Sequence, residues 1–73
     1  MLKVINGVQT SDLQIGDAVV HHLGDVYILR SVRPLPDSEY VELSWSERVD
    51  SRSTFETTAQ PWNIWSAAIR EEA

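Results

Sequence analysis

The sequence predicts an all-β fold, a small five-stranded barrel that forms a single domain over residues 1–73. Short runs rich in valine, isoleucine and threonine recur along the chain, as is typical of strands. Glycine, proline, asparagine and aspartate punctuate these runs roughly every eight to twelve residues, which is the spacing of turns in small all-β domains. One run, Glu39–Ser46, alternates apolar and polar residues, which indicates a strand with one buried face and one wet face.

The stretch from Asp12 to Val32, DLQIGDAVVHHLGDVYILRSV, predicts the centre of this barrel. A Gly-Asp turn leads into a strand at Ala18–His21, and a tight loop at Leu23-Gly24-Asp25 connects it to a longer strand at Val26–Arg33. Strict alternation in the longer strand puts its apolar residues on two faces: Val26, Ile28 and Val32 on one, Tyr27 and Leu29 on the other.

The N-terminal segment predicts a short hairpin. Asn6-Gly7 lies between two extended segments, and both residues tolerate the positive φ that a type I′ turn requires. After it, Thr10 or Ser11 is expected to cap a single helical turn, with Leu13 and Ile15 tucked into the core.

The second half of the chain supplies the remaining strands. The prolines of Pro34–Ser38 predict a loop. In the strand Glu39–Ser46, Val41, Leu43 and Trp45 are expected to face inward, and in the strand Arg52–Thr58 the inward residue is Phe55.

The last segment, Pro61–Ala73, fits either a strand or a short helix. As a helix it would place Trp62 and Trp65 on one face. As a strand it would run over Trp62–Ser66, pair with the first strand and close the barrel, and one of the two tryptophans would then be exposed. We favour the strand, because acidic residues at positions 71 and 72 would lie unfavourably at a helix C-terminus.

These features resemble SH3-like small β-barrel proteins of actinobacterial phages and other mobile elements. The similarity covers roughly residues 4–46. The motifs that carry it are Asn6-Gly7-Val8, the run Asp12–Val20, Gly24-Asp25-Val26-Tyr27 and the run Ser31–Pro34. The resemblance implies an SH3-like fold, and it implies a phage-encoded protein that binds or inhibits a host protein.

Composition narrows the classes of function. The chain has 6 basic and 11 acidic residues, a net charge of −5, which is the wrong sign for binding a phosphate backbone. It has no cysteine, so thiolate metal sites are excluded. No apolar run approaches the ~20 residues needed to span a bilayer, and no signal peptide is evident, so we expect a cytoplasmic protein.

No residue pattern indicates an enzyme, a cofactor or a metal. His21 and His22 are adjacent, so on a strand they would face opposite ways, and we interpret them as ordinary loop histidines. The carboxylates are interpreted as solvated surface residues, because a 73-residue barrel fills its interior with its own side chains.

The leading hypothesis is therefore a non-enzymatic, acidic interaction module that binds another protein. Its apolar anchors would be Trp62, Trp65 and Tyr40, because exposed aromatic residues are typical interface anchors. Its acidic rim would be formed by Glu39, Glu42 and Glu56.

Two alternatives remain open at this point. One is a nucleic-acid-associated barrel with a local basic face, consisting of Arg30, Arg33, Arg48 and Arg52. The other is a homo-oligomeric structural protein, in which an open sheet edge pairs with its copy and compensates for the small core.

Overall fold

The computed structural model describes residues 1–72 and consists of six strands and one 3-10 turn. The elements are β1 (Leu2–Gln9), the 3-10 turn (Thr10–Asp12), β2 (Ala18–Val20), β3 (Val26–Pro34), β4 (Val41–Ser46), β5 (Phe55–Ala59) and β6 (Ile64–Glu71). Over these residues, no helix is long and apolar enough to cross a membrane.

All six strands pair antiparallel in one sheet, whose order is β1-β6-β2-β3-β4-β5. The all-β prediction is confirmed, but the number of strands is six rather than five. The order ends at β1 and β5, which do not pair with each other in the described part of the chain, so the sheet does not close as the sequence predicted.

The predicted N-terminal hairpin is wrong, because β1 runs straight through Asn6-Gly7. Gly7 does adopt the positive φ that the motif favours, at 64°. On either side of it, however, β1 keeps the same partner, with Asn6 opposite Ala67 and Val8 opposite Trp65 in β6. A long partner strand therefore holds this segment extended, and the glycine introduces a local irregularity instead of a reversal.

The C-terminal segment is a strand, as favoured from the sequence, and it pairs with the first strand. It starts at Ile64 rather than Trp62 and continues to Glu71. Its other side pairs with β2, where Ala18 lies opposite Ile69 and Val19 opposite Ala68. Because β6 has neighbours on both sides, it is a central strand. Glu71, at its end, lies opposite Leu2 and pairs with the N-terminal ammonium. The predicted range Pro61–Ala73 extends one residue beyond the described residues.

The sheet curves strongly, which creates a concave inner face. Trp45 in β4 and Trp65 in β6 are three strand positions apart, a separation of about 14 Å in a flat sheet with ~4.8 Å between strands. Their ring centroids are only 5.4 Å apart. The inner face carries the buried apolar core, which consists of Val8, Leu13, Val19, Leu29, Leu43, Trp45, Ala59 and Ala68.

A β-bulge in β3 changes which residues face the core. The register shifts between Leu29 and Ser31, so Val32 lies directly opposite the buried Leu43. Directly opposed residues share a face, and Val32 is therefore on the inner face with Leu29, not on the opposite face as strict alternation predicts. Phe55, predicted to be inward, does lie opposite Trp45 but stays 38% exposed at the rim.

Candidate binding groove

The inner face has two ends, and its own aromatic rings fill one of them. The imidazole of His21 lies 4.8 Å from the ring of Tyr27, 4.4 Å from Trp45 and 5.1 Å from Trp65, measured between centroids. Phe55 extends the cluster, with its ring 4.8 Å from that of Tyr27. We call these five residues the aromatic end.

The other end of the inner face is open and forms an apolar groove of about 490 Å³. It lies between the 3-10 turn and strands β3 and β4, and its lining residues are Thr10, Ser11, Leu13, Gln14, Ile15, Val32, Val41 and Pro61. Ile15 is 61% exposed and Val32 is 40% exposed. The prediction that Ile15 is tucked into the core is therefore wrong, whereas Leu13 is buried.

Hydrogen bonds from β6 and the turn before it fix one wall of the groove. The Trp65 Nε1 donates to Thr10 Oγ1 at 2.8 Å, and the Thr10 hydroxyl in turn donates to the Asn63 carbonyl. The Ser11 N–H donates to the Pro61 carbonyl at 3.0 Å. Thr10 thus tethers the 3-10 turn to β6 rather than capping it, which corrects the predicted role of Thr10 or Ser11 as a side-chain cap.

A buried ion pair fixes the chain beneath the same wall. The Arg70 guanidinium donates to both oxygens of Asp17, at 2.9 and 2.8 Å, and to the Asp12 carbonyl at 3.0 Å. The other donor to the Asp17 carboxylate is the Gln14 N–H, at 2.9 Å. Asp17 is 1% exposed, so its carboxylate has exchanged water for these fixed donors.

The protonation states of this pair follow from the contacts. Burial on its own raises the pKa of Asp17, but the hydrogen bonds from Arg70 and the Gln14 N–H, together with the Arg70 charge, lower the pKa overall. The hydrogen bond to Asp17 raises the pKa of Arg70. Both groups are therefore charged near neutral pH, and the segment from Asp12 to Asp17 is held in one arrangement.

The three predicted aromatic anchors have different environments. Trp62 is 53% exposed and follows the groove-lining Pro61; Tyr40 is 45% exposed and precedes the groove-lining Val41. Trp65 is half-buried in the aromatic end and bonded to Thr10. Neither Trp62 nor Tyr40 is among the groove-lining residues; each is only the sequence neighbour of one, whereas Trp65 has a structural role.

The predicted acidic rim is divided between two places. Glu39 lies in the loop next to Tyr40 and is exposed. Glu42 and Glu56 lie instead on the outer face of β4 and β5, where Glu42 pairs with Arg33 at 2.8 Å and Glu56 accepts a hydrogen bond from Ser44 at 3.3 Å. Glu42 follows the groove-lining Val41 but lies on the outer face, and Glu39 lies two residues before Val41.

The four arginines of the alternative basic face do not share one environment. Arg30 donates to the carbonyls of Val49 and Arg48 and to the Ser46 hydroxyl, and Arg33 is paired with Glu42. Arg48 and Arg52 are exposed between β4 and β5. Two of the four guanidinium groups are thus engaged by the chain itself.

The two histidines differ in their surroundings. His22 is exposed, whereas His21 is half-buried, and burial lowers its pKa, opposed in part by the charge of Asp25. The Nε2 atom of His21 is buried and has no hydrogen-bond partner within residues 1–72. Both histidines line a second cavity of about 380 Å³ beside Trp65 and Ser66. His21 is therefore part of the packing, not the ordinary loop residue that the sequence indicated.

Within the described chain, no group of three or more histidine, aspartate or glutamate side chains is placed to hold a metal ion. The groove residues offer hydroxyl, amide and apolar groups but no nucleophile beside a base. What the groove offers chemically is shape and apolar surface, together with a few polar groups that can orient a bound segment.

Sequence reasoning missed Ile15 and Val32, the two exposed aliphatic residues of the groove. The signal for Val32 was obscured by the bulge, which changes the phase of β3 after Leu29. Ile15 lies in irregular backbone between the 3-10 turn and β2, where neither strand nor helix periodicity assigns a face.

Comparisons with known proteins identify no relative. The chain matches no family model, and no curated protein and no solved structure is significantly similar to it.

Proposed function

We propose that this protein is a non-enzymatic interaction module whose groove binds an apolar, basic segment of another protein. The observation that carries the proposal is the open apolar groove between the 3-10 turn and strands β3 and β4, with Ile15 and Val32 exposed in its lining. Its volume of about 490 Å³ falls in the range of about 300–1,000 Å³ typical of binding pockets.

The apolar lining supports a partner that inserts apolar side chains. Burying an exposed aliphatic side chain contributes about 1.5–3 kcal/mol when the burial is complete. Ile15 and Val32 would gain part of that on binding. A bound segment longer than the groove would also reach the exposed Tyr40 and Trp62, each of which is next in sequence to a lining residue and is of a type that interfaces favour. This retains two of the three anchors predicted from the sequence.

The charges around the groove support a basic partner. Asp12 follows the groove-lining Ser11, and Glu39 precedes Tyr40; both carboxylates are exposed. The nearby cations are already engaged, Arg33 by Glu42 and Arg70 by Asp17. With a net charge of −5 on the whole chain, lysine or arginine beside the inserted apolar residues would be attracted and oriented.

The proposal includes the setting that the sequence resemblance implies: an SH3-like protein of an actinobacterial phage that acts on a host protein in the cytoplasm. The strongly curved antiparallel sheet supports only the all-β part of this setting, and the phage origin, the host target and the cytoplasmic location rest on the sequence.

Site-specific photo-crosslinking tests the proposal. A photoreactive phenylalanine analogue replaces Trp62, which is next in sequence to the groove-lining Pro61. In a matched control it replaces Leu23, which is 85% exposed in the β2–β3 turn. In cells that naturally produce the protein, the Trp62 position should crosslink to a partner segment that carries lysine or arginine beside large apolar residues.

The same segment, synthesised as a peptide, then provides the binding assay. Ile15→Glu should weaken its binding at least about tenfold, equivalent to 1.4 kcal/mol, because a carboxylate would be buried against apolar groups. Leu23→Glu should bind as the wild type does. Equal crosslinks from both positions, or equal binding by both variants, would reject the groove as the binding site.

A further inference from the structure

We propose that a second copy of this chain packs against the outer sheet face opposite the core, so that the protein is a homodimer. This face, the apolar outer face, is formed by β1, β6, β2 and the first half of β3. Its side chains are Leu2, Val4, Ala18, Val20, Val26, Ile28 and Ile69. It is separate from the groove, and the inference does not depend on the proposed function.

The pairing register places these residues in one continuous row. Val4 lies opposite Ile69, Ile69 opposite Ala18, and Ala18 opposite Ile28, so four adjacent strands each contribute an apolar residue. Directly opposed residues share a face, and the next residue along each strand points the other way. The row therefore faces outward, because its sequence neighbours Val19 and Ala68 are fully buried in the core.

Several of these residues are largely exposed in the single chain. Leu2 is 67%, Val4 60% and Val26 45% exposed. Strands that are apolar on both faces are typical of sheets covered on both sides. In the described chain Ala18, Val20, Ile28 and Ile69 are half-buried, whereas Leu2, Val4 and Val26 lack the apolar layer that this composition predicts.

The dimensions of the face fit the centre of a dimer interface. Four strands at ~4.8 Å spacing, and three rows of outward positions ~7 Å apart along the strands, cover on the order of 400 Å², of which the seven apolar residues occupy roughly 240 Å². A stable interface buries about 800 Å² per partner, of which the centre is apolar and the rim polar. The apolar residues thus supply roughly a third of the area per partner, as the centre of the interface, and the polar positions among and around them would supply the rest.

The distribution of charge favours a second copy over a basic partner for this face. Its one carboxylate, Glu71 at a corner opposite Leu2, already bonds the N-terminal ammonium at 2.9 Å. Glu42 and Glu56 lie on the outer face of β4 and β5. Two copies can therefore approach through their apolar faces while most of the net charge of −5 on each stays in solvent.

Sedimentation equilibrium tests the prediction. The concentration range is about 1–100 µM, in which ordinary homodimers are populated. The wild type should sediment at twice the chain mass of 8.3 kDa. Val4→Lys should raise the dissociation constant at least about 100-fold, because each copy would bury an ammonium group against apolar residues. Thr58→Lys, at an exposed outer position of β5, should remain a dimer.

Val26→Lys provides a second test on a different strand, and circular dichroism of each variant shows whether it is folded. A wild type that stays monomeric at the highest concentration overturns the proposal, as does a folded Val26→Lys variant that dimerises normally. Ile15→Glu should dimerise like the wild type, so a failure of the groove proposal and a failure of this one give different results.

Discussion

The two ends of the inner face are built from the same curved sheet, yet one is filled and the other is open. At the aromatic end, the rings of Tyr27, Trp45 and Trp65 surround His21 at centroid distances of 4.4 to 5.1 Å. At the groove end, Ile15 and Val32 remain exposed around a space of about 490 Å³. Apolar residues therefore pack against each other at the aromatic end and remain exposed to solvent at the groove end.

The difference shows which part of a small domain can stay open without loss of stability. A core of this size has few buried side chains, so each large ring contributes a substantial part of the total stability. The groove keeps its shape without being filled, because the Asp17–Arg70 ion pair and the Thr10–Trp65 hydrogen bond fix its wall. The aromatic end should thus be sensitive to substitution in stability, and the groove end in binding.

The largest expected effect is on the aromatic end. Trp45→Ala removes a fully buried indole and its hydrogen bond to Thr57 Oγ1, and should lower the free energy of unfolding by about 3–5 kcal/mol. The measurement is urea unfolding followed by circular dichroism. Trp62→Ala, which removes an indole that is 53% exposed, is the matched control and should lower it by about 1–2 kcal/mol at most. Similar losses in both variants would break the distinction between the ends.

The next effect concerns the ion pair that fixes the groove wall. Asp17→Asn removes the buried carboxylate charge that pairs with Arg70. It should lower the free energy of unfolding by about 3 kcal/mol near pH 7. The pKa of Asp17 is lowered below 3.8 in the folded protein, so the stability that this group contributes is present above pH 3.8 and is lost as pH falls through the folded pKa. The variant should therefore show a flatter decline of stability in acid, which unfolding at several pH values will measure.

A graded pH effect should come from His21. Burial lowers its pKa below 6.5, so in acid the unfolded chain takes up a proton before the folded chain does. Stability should therefore fall as pH drops from about 7 towards the folded pKa. His21→Phe keeps a ring among the aromatic residues but cannot titrate, and its stability should depend less on pH in this range.

His22→Gln, at the neighbouring exposed position, serves as the control for this pH experiment and should retain the wild-type dependence. If His21→Phe and the wild type lose stability in parallel, the packing of His21 among the rings is not the source of the pH effect.

The smallest expected effect on stability is at the groove itself. Ile15→Ser shortens a side chain that is 61% exposed and should change the free energy of unfolding by less than about 0.5 kcal/mol. The same urea experiment measures it. A loss of 2 kcal/mol or more, roughly that of a buried aliphatic residue, would show that Ile15 belongs to the core.

Much of the fold was predictable because the local sequence patterns of these strands agree with the way the strands pair in the sheet. The alternation of Val41, Leu43 and Trp45 identified β4, and its inward residues include two that are fully buried. The choice of a strand for the C-terminal segment was correct because β6 finds partners on both sides.

The failures have identifiable causes. Asn6-Gly7 has the local chemistry of a turn, but a partner strand distant in sequence overrides it. The sequence predicted a closed barrel and the sheet is open, because closure depends on register and shear across the whole sheet, which strand patterns do not carry. The groove was missed because its position depends on a bulge and on irregular backbone, neither of which has a periodic signal.

Binding of the partner segment to the groove is the central claim, and titration calorimetry with the crosslinked peptide tests it most directly. The account predicts that Ile15→Glu weakens binding at least about tenfold while Leu23→Glu, with the same added charge at the opposite end of β2, leaves it unchanged. Unchanged binding by a folded Ile15→Glu variant would contradict it.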